Sequence, residues 1–125
     1  MEKYNKIIGN FGEQYAVSYL QKQNYKIIDK NYRCHFGEID IIGIDKDCLC
    51  FIEVKTRTTC KYGRPVNAVN FAKCRHIIKC AKMYIASKKM GNYRARFDIV
   101  EIFMKNDDNK FVVDNVNIIK NAFMV

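Results

Sequence analysis

The sequence predicts one α/β domain, a mixed sheet flanked by helices, in the order αβββαββ. Two observations carry that prediction. Gly37–Asp40 and Phe51–Lys55 alternate apolar and polar residues with the period of two that marks a strand with two different faces, and two other stretches place apolar residues at helical spacing. Helices interspersed with strands, rather than strands alone, indicate a layered α/β architecture. A chain of 125 residues is long enough for one hydrophobic core. It shows no repeat, low-complexity tract or Pro/Gly/Ser linker, so residues 1–125 are expected to form a single domain.

The first helix is expected from about Asn10 to Gln23. Asn10 is a suitable cap, and Tyr15, Ala16, Tyr19 and Leu20 form an apolar stripe. Strands follow at about Lys26–Cys34, Glu38–Ile44 and Leu49–Thr56. The polar stretch Thr56–Pro65, with Gly63 and the single proline, reads as an exposed loop. A second helix then spans about Val66–Lys88 and ends at Gly91-Asn92. Strands at Ala95–Phe103 and Phe111–Ile119, joined by the polar turn Asn106-Asp107-Asp108-Asn109, complete the set.

Two of these strands concentrate chemistry. Gly37-Glu38-Ile39-Asp40 and Phe51-Ile52-Glu53-Val54-Lys55 flank Asp45-Lys46-Asp47, which supplies turn residues for a hairpin. With Lys46-Asp47 as a two-residue loop, Asp40 faces Glu53 across the ladder, and Lys55 points to the same side as Glu53. Facing carboxylates on paired strands have Cβ atoms roughly 4.5–5.5 Å apart. Such a pair repels, and one member takes up a proton unless a cation intervenes. A divalent metal removes the conflict. The same register sets Glu38 opposite Lys55, which favours Glu38 as a salt-bridge partner over a ligand.

Charge is unevenly distributed. The formal net charge is +9, yet the segment from Glu53 to Arg96 carries twelve Lys and Arg against one acid, and the remainder is net acidic. One third of the chain thus holds the whole excess, next to the acidic pair, which favours a polyanion partner, with nucleic acid ahead of a membrane surface. On the second helix Arg75, Lys79 and Lys82 fall opposite the apolar stripe of Val66, Val69, Ile77, Cys80 and Tyr84. Lys73 falls within that stripe. Either its stem snorkels along the core, or its charge enters the cleft beside Asp40 and Glu53.

The placement of the six cysteines does not suggest a disulfide framework, with Cys48 and Cys50 two apart on a strand, Cys74 and Cys80 on one helix, and Cys34 and Cys60 alone; nor does any C-x-x-C pair suggest a zinc site. They are expected as reduced thiols filling the core. No apolar run approaches the roughly 18–20 residues of a membrane span, and the first residues lack the apolar core of a secretory signal. A cytoplasmic protein without membrane contact is expected.

These residues resemble a known pattern. Asp40 followed after a short hairpin by Glu53-x-Lys55 looks like the core of the PD-(D/E)xK nuclease superfamily. More narrowly, Gly9-x-x-Gly12-Glu13, Gly37-Glu38-Ile39-Asp40, Phe51-Ile52-Glu53-Val54-Lys55-x-Arg57 and Arg96-Phe97-Asp98 resemble the YraN-like family, an uncharacterised bacterial group placed with Holliday-junction resolvase-like nucleases. The resemblance implies a restriction-endonuclease-like αβββαβ core and Mg²⁺- or Mn²⁺-dependent hydrolysis of phosphodiester bonds in DNA, branched or single-stranded, with RNA left open. Asp40, Glu53 and Glu13 would be the metal ligands. Lys55 would orient the attacking water or neutralise charge in the transition state. Resolvase analogy suggests a homodimer. Two positions depart from the pattern: Ile39 replaces the proline before the first aspartate, and Cys74 stands where a glutamine often follows the helix lysine.

Alternatives accompany these roles. Glu13 could instead be an N-terminal helix acid favoured by the macrodipole, and Asp40 with Lys55 a plain cross-strand ion pair. Asp98, amid Phe97, Ile99 and Val100, reads as a structural hydrogen-bonding group. Arg57, Lys61 and Arg64, with Lys73, Arg75 and Lys79, read as the nucleic-acid-binding set. The competing functional reading is a non-catalytic nucleic-acid-binding module that keeps a nuclease fold; a protein partner in a repair or replication complex is a third.

Overall fold

Lys46 adopts a left-handed φ of 58°, which closes the two-residue turn between Asp45 and Cys48 and sets the hairpin register. The pairs run Asp45–Cys48, Ile44–Leu49, Gly43–Cys50, Ile42–Phe51 and Ile41–Ile52, the predicted register, but the ladder stops there and the expected Asp40–Glu53 pair does not form. A computed structural model describes residues 2–58, 71–108 and 110–123. Its elements are α1 (Glu2–Lys22), β1 (Lys26–Cys34), β2 (Gly37–Asp45), β3 (Cys48–Thr58), α2 (Phe71–Lys88), β4 (Arg94–Asp107) and β5 (Lys110–Ile119). The five strands form one sheet in the order β1-β2-β3-β4-β5. Among the described strand pairs only β3 and β4 are parallel, and α2 lies in the crossover that a parallel pair needs. The fold is α/β, consistent with a restriction-endonuclease-like core.

Three boundaries depart markedly from the sequence reading. α1 begins at Glu2, not at an Asn10 cap. Ile8 is packed against the core cluster beneath the helix, and that burial carries the helix through Gly9, Asn10 and Gly12 against their low propensity. β3 runs on to Thr58 because β4 offers partners, with Arg57 beside Phe103 and Thr58 beside Met104. β4 likewise extends through Asn106 and Asp107, which pair with Phe111 and Lys110. The expected loop after Thr58 and the expected start of the second helix lie outside the described residues.

Each helix covers one face of the sheet. Ala16 and Leu20 of α1 pack with Ile41, Cys50, Ile52, Val100 and Ile102. Ile77, Cys80, Ala81 and Tyr84 of α2 pack with Ile39, Ile42, Leu49, Phe51 and Phe97. Tyr84 meets Tyr32 edge-on, with ring centroids 5.0 Å apart. Aliphatic and aromatic side chains this deeply buried contribute about 1.5–3 kcal/mol each.

Strict alternation would put Ile39 on the same face as Ile41. Instead Ile39 joins Ile42 in the α2-side cluster while Ile41 lies on the α1 side. The alternation therefore slips at Asp40, and the β2–β3 pairing ends at Ile41–Ile52. Beyond that point β2 stays with β1, pairing Ile39 with Tyr32, Glu38 with Arg33 and Gly37 with Cys34.

At the other end of β2 a polar cluster anchors the sheet. Asp98 is fully buried and accepts hydrogen bonds from Arg96 Nε at 2.9 Å, Tyr25 Oη at 3.0 Å and the Asn121 backbone N–H at 2.9 Å. Arg96 also donates to Asp45 at 2.8 Å, and Lys120 reaches Asp45 at 3.3 Å. Hydrogen bonding to Asp98 raises the Arg96 pKa, and the Arg96 hydrogen bond lowers that of Asp45. Asp98 is the structural hydrogen-bonding group that its apolar neighbours suggest.

Candidate metal centre

Where β2 leaves β3, a side chain replaces the backbone ladder. The Val54 N–H donates to Asp40 Oδ2 at 2.8 Å, so the end of the hairpin is held through the carboxylate itself. Burial drives the Asp40 pKa up, the Val54 N–H opposes, and Glu13, Glu53 and Glu38 add to the rise. The result is about 6, against an ordinary 3.8.

Glu13, Glu38 and Asp40 form the site. One carboxylate oxygen from each lies within 4.8 Å of the others, the one such group of three among the described residues. α1 supplies Glu13 and β2 supplies the other two. The approach of α1 depends on Gly12, where a Cβ would stand 2.0 Å from Thr56 Oγ1 and 3.2 Å from Thr56 Cβ, so a larger residue forces Thr56 or the helix to shift. Asn31 on β1, with a left-handed φ of 52°, places its amide between two of the acids. Oriented to donate, its Nδ2 lies 3.0 Å from Glu13 Oε1 and 3.1 Å from Glu38 Oε1. Burial and Glu38 raise the Glu13 pKa, with Lys30 and Arg33 opposing.

Two cavities meet at Asp40. One, of about 650 Å³, lies under α1 and is lined by Glu13, Asn31, Glu38, Asp40 and Thr56, among others. The other, of about 220 Å³, lies under α2, and its lining includes Phe36, Phe51, Glu53, Lys73, His76 and Phe123. Asp40 and Glu38 belong to both walls.

The remaining candidates distribute around this centre. Glu53 turns to α2 and forms an ion pair with Lys73. It still raises the Asp40 pKa but stands outside the tight three-acid group. Lys73 lies one turn before Ile77, in line with the buried stripe, and so meets the sheet at Glu53; this is the cleft-facing alternative rather than snorkelling. Lys55, two residues along from Glu53, acts electrostatically on Cys74 of α2 and forms no ion pair among the described residues. Glu38 corrects the register expectation. Because β2 follows β1 past Asp40, its salt bridge is to Arg33 at 3.6 Å, not to Lys55. Arg57 sits on β3 with a buried Nε that lacks a hydrogen-bond partner among the described residues. Arg75 and Lys79 are exposed on α2, with Lys79 over the Phe36 ring at 5.3 Å. Lys61 and Arg64 lie outside the described residues. Asn31 is invisible to pattern reading, although an asparagine in mid-strand goes against β propensity and signals a special backbone.

A family model described as "Uncharacterised protein family UPF0102" matches residues 12–102. The chain belongs to the UPF0102 family. It is 45% identical over 124 residues to a UPF0102 protein of Caldanaerobacter subterraneus subsp. tengcongensis, covering 98% of this chain and 100% of that one. UPF0102 proteins of Clostridium perfringens and Clostridium tetani are 46% and 45% identical over 125 residues, each covered in full. The UPF0102 match takes in Glu13, Asn31, Glu38, Asp40, Glu53, Lys55 and Lys73, so every residue of the centre lies inside the family's span.

The donor set of this UPF0102 chain suits a divalent metal. Three carboxylates offer hard oxygens of the kind Mg²⁺ and Mn²⁺ take, and Asp40 is crowded enough by like charge to gain from a cation. No helix among the described residues is long and apolar enough to cross a membrane.

Proposed function

We propose that this chain is a metal-dependent nuclease that hydrolyses phosphodiester bonds of DNA in branched or single-stranded regions. The observation that carries the proposal is the group of Glu13, Glu38 and Asp40 within 4.8 Å, whose Glu38 and Asp40 also line the cavity that holds Glu53 and Lys73. Glu13, Glu38 and Asp40 would hold the ion, with Glu53 at its margin. A bound Mg²⁺ or Mn²⁺ polarises a phosphoryl oxygen and acidifies a coordinated water.

The chain's own groups do the rest. The Val54 N–H fixes Asp40 Oδ2, and Asn31 Nδ2 fixes Glu13 and Glu38, so the acids are oriented before substrate arrives. Lys55 Nζ supplies positive charge that orients the attacking water or offsets charge building on the phosphate. Lys73 balances Glu53 and meets the phosphate flank, while Arg75 and Lys79 follow the backbone. The pocket edged by the half-buried Phe36 and Phe123 offers an unpaired base a place to pack beside the scissile bond, which favours single-stranded or branched DNA over intact duplex.

The test is incubation with supercoiled, single-stranded and four-way-junction DNA in Mg²⁺ or Mn²⁺. Cleavage that disappears in Asp40→Asn is expected, and cleavage that survives that substitution rejects the mechanism.

The ion pair between Glu53 and Lys73 favours a second reading, a DNA-binding module without turnover, since it occupies the carboxylate that the nuclease pattern assigns to the metal. Under that reading DNA binds and is not cut. Replacing Arg75 and Lys79 by alanine then lowers the slope of log K against log salt by about 0.9 for each phosphate that is no longer neutralised.

A further inference from the structure

Cys34 ends β1, and Cys80 lies on α2 in the core. Their Sγ atoms are 2.7 Å apart, within about 0.7 Å of the 2.03–2.05 Å of a covalent S–S bond. No other pair of sulfurs among the described residues makes such a contact. Cys48 donates to Asp47 and Cys50 to the Cys48 carbonyl, while Cys74 is half-buried elsewhere on α2. The geometry points to Cys34 and Cys80 as a dithiol that closes reversibly to a disulfide, pinning the β1–β2 turn to α2.

The two sulfurs divide the labour. Cys34 is the half-buried, approachable one, and Cys80 is fully buried. Burial opposes ionisation of Cys34, but hydrogen bonds from the Cys80 thiol and from the Phe36 and Gly37 backbone outweigh it and lower its pKa. Burial and the neighbouring Cys34 push Cys80 up to about 12. Cys34 is therefore the attacking thiolate, and Cys80 keeps its proton until the second step. With a low-molecular-weight disulfide RSSR as oxidant, Cys34-S⁻ attacks one sulfur, forms the mixed disulfide Cys34-S-SR and expels RS⁻. Cys80 then attacks the Cys34 sulfur, the second RS⁻ leaves, and the Cys80 proton passes to solvent or to that thiolate. Both cysteines are oxidised together by two electrons, and RSSR is reduced to two thiols.

The bond would join two walls of the aromatic pocket. A Cβ on Gly37 would stand 3.7 Å from His76 Cβ and 4.0 Å from Cys80 Sγ, so the β1–β2 turn already rests on α2 here. His76 and Lys73 lie one and two helical turns before Cys80, on the same side. Closure fixes both against the end of β1, where Cys34 pairs with Gly37 at the start of the strand that carries Glu38 and Asp40. Formation of the bond depends on the sulfur geometry and is independent of whether the chain cuts DNA. Disulfides in reducing compartments are transient and redox-sensing, which fits a pair of this kind.

The experiment equilibrates the purified chain in mixtures of reduced and oxidised glutathione, blocks free thiols with N-ethylmaleimide and maps peptides by mass spectrometry. The expected result is loss of two hydrogens from the intact mass, a Cys34–Cys80 linked peptide, reversal by dithiothreitol, and a melting temperature raised on oxidation. Cys34→Ser should abolish both the linkage and the shift. Cys80→Ala should hold one glutathione on Cys34; if that variant does not fold, Cys34→Ser with wild type decides the matter. Linkage of any other pair, glutathione retained on Cys34 in the wild type, or no oxidation of the folded chain overturns the inference.

Discussion

The Val54 N–H and Asp40 Oδ2 are 2.8 Å apart, and this bond stands where the β2–β3 ladder would otherwise continue. The carboxylate is therefore both a structural tie and a candidate ligand. It is held among other acids, at a cost in stability that appears as the carboxyl ionises.

That cost has a sign and a pH window. A folded carboxyl with a raised pKa binds its proton more tightly than the unfolded chain does, so stability falls as pH rises from the ordinary 3.8 towards about 6. The full shift amounts to about 3 kcal/mol. Asp40→Asn keeps an acceptor for Val54 and removes the ionisation, so it should stabilise the metal-free chain by up to that amount near neutral pH. The gain should shrink to nothing in acid. Urea melts of both proteins across pH check this; a difference that does not change with pH would refute the account.

Divalent metal should stabilise the wild type and not Asp40→Asn. At a free concentration of about a hundred times Kd the gain is about 2.7 kcal/mol. Mn²⁺ calorimetry on Glu13→Gln and Glu38→Gln should show larger losses of affinity than Asn31→Ala, whose role as an orienting partner is worth about 10- to 100-fold. Glu53→Gln should lose least, because Lys73 already engages that carboxylate. A Glu53→Gln that abolishes binding while Glu38→Gln leaves it intact would assign the ion to the other side of Asp40.

Gly12→Ala pits two magnitudes against each other. Alanine gains about 1 kcal/mol of helix propensity, whereas a Cβ at 2.0 Å from Thr56 Oγ1 forces overpacking that costs about 1–3 kcal/mol. The clash should win, and α1 should shift with Glu13 attached. Adding Thr56→Ala removes the offending oxygen and should restore much of the stability. A double-mutant cycle with no coupling between the two sites would disprove the contact.

Much of the frame was legible in the residues, because two-fold alternation and a two-residue turn are local signals. The Asp45–Cys48 turn and the first five pairs of the hairpin follow from such patterns, and helical spacing gives the exposed placement of Arg75 and Lys79. What the sequence concealed was non-local. Glu38 meets Arg33, not Lys55, because alternation slips at Asp40, a change set by how β2 divides its pairing between two neighbours. Asn31, with its left-handed backbone, meets acids from α1 and β2 that are remote from it in sequence. The helix extends past Asn10 because Ile8 finds a tertiary contact that propensity cannot foresee.

Arg96→Ala should be among the most damaging substitutions outside the site. It leaves Asp98, fully buried, without its cation, and breaking a buried pair costs about 3–5 kcal/mol. Arg96→Lys restores charge but not the fork that reaches both Asp98 and Asp45, and should recover only part. Chemical denaturation measures both; a change within about 0.5 kcal/mol, ordinary for surface sites, would show that the cluster does not anchor the sheet.

One strand, then, has opposite electrical fates at its two ends. Asp45 is gripped by Arg96 and Lys120, whereas Asp40, five residues earlier, is hemmed in by negative neighbours. β2 thus works as a graded rail, saturated at one terminus and hungry for positive charge at the other. Substitutions can retune the hungry terminus without loosening the saturated one, which leaves the chemistry of this small domain free to diverge while its scaffold stays put.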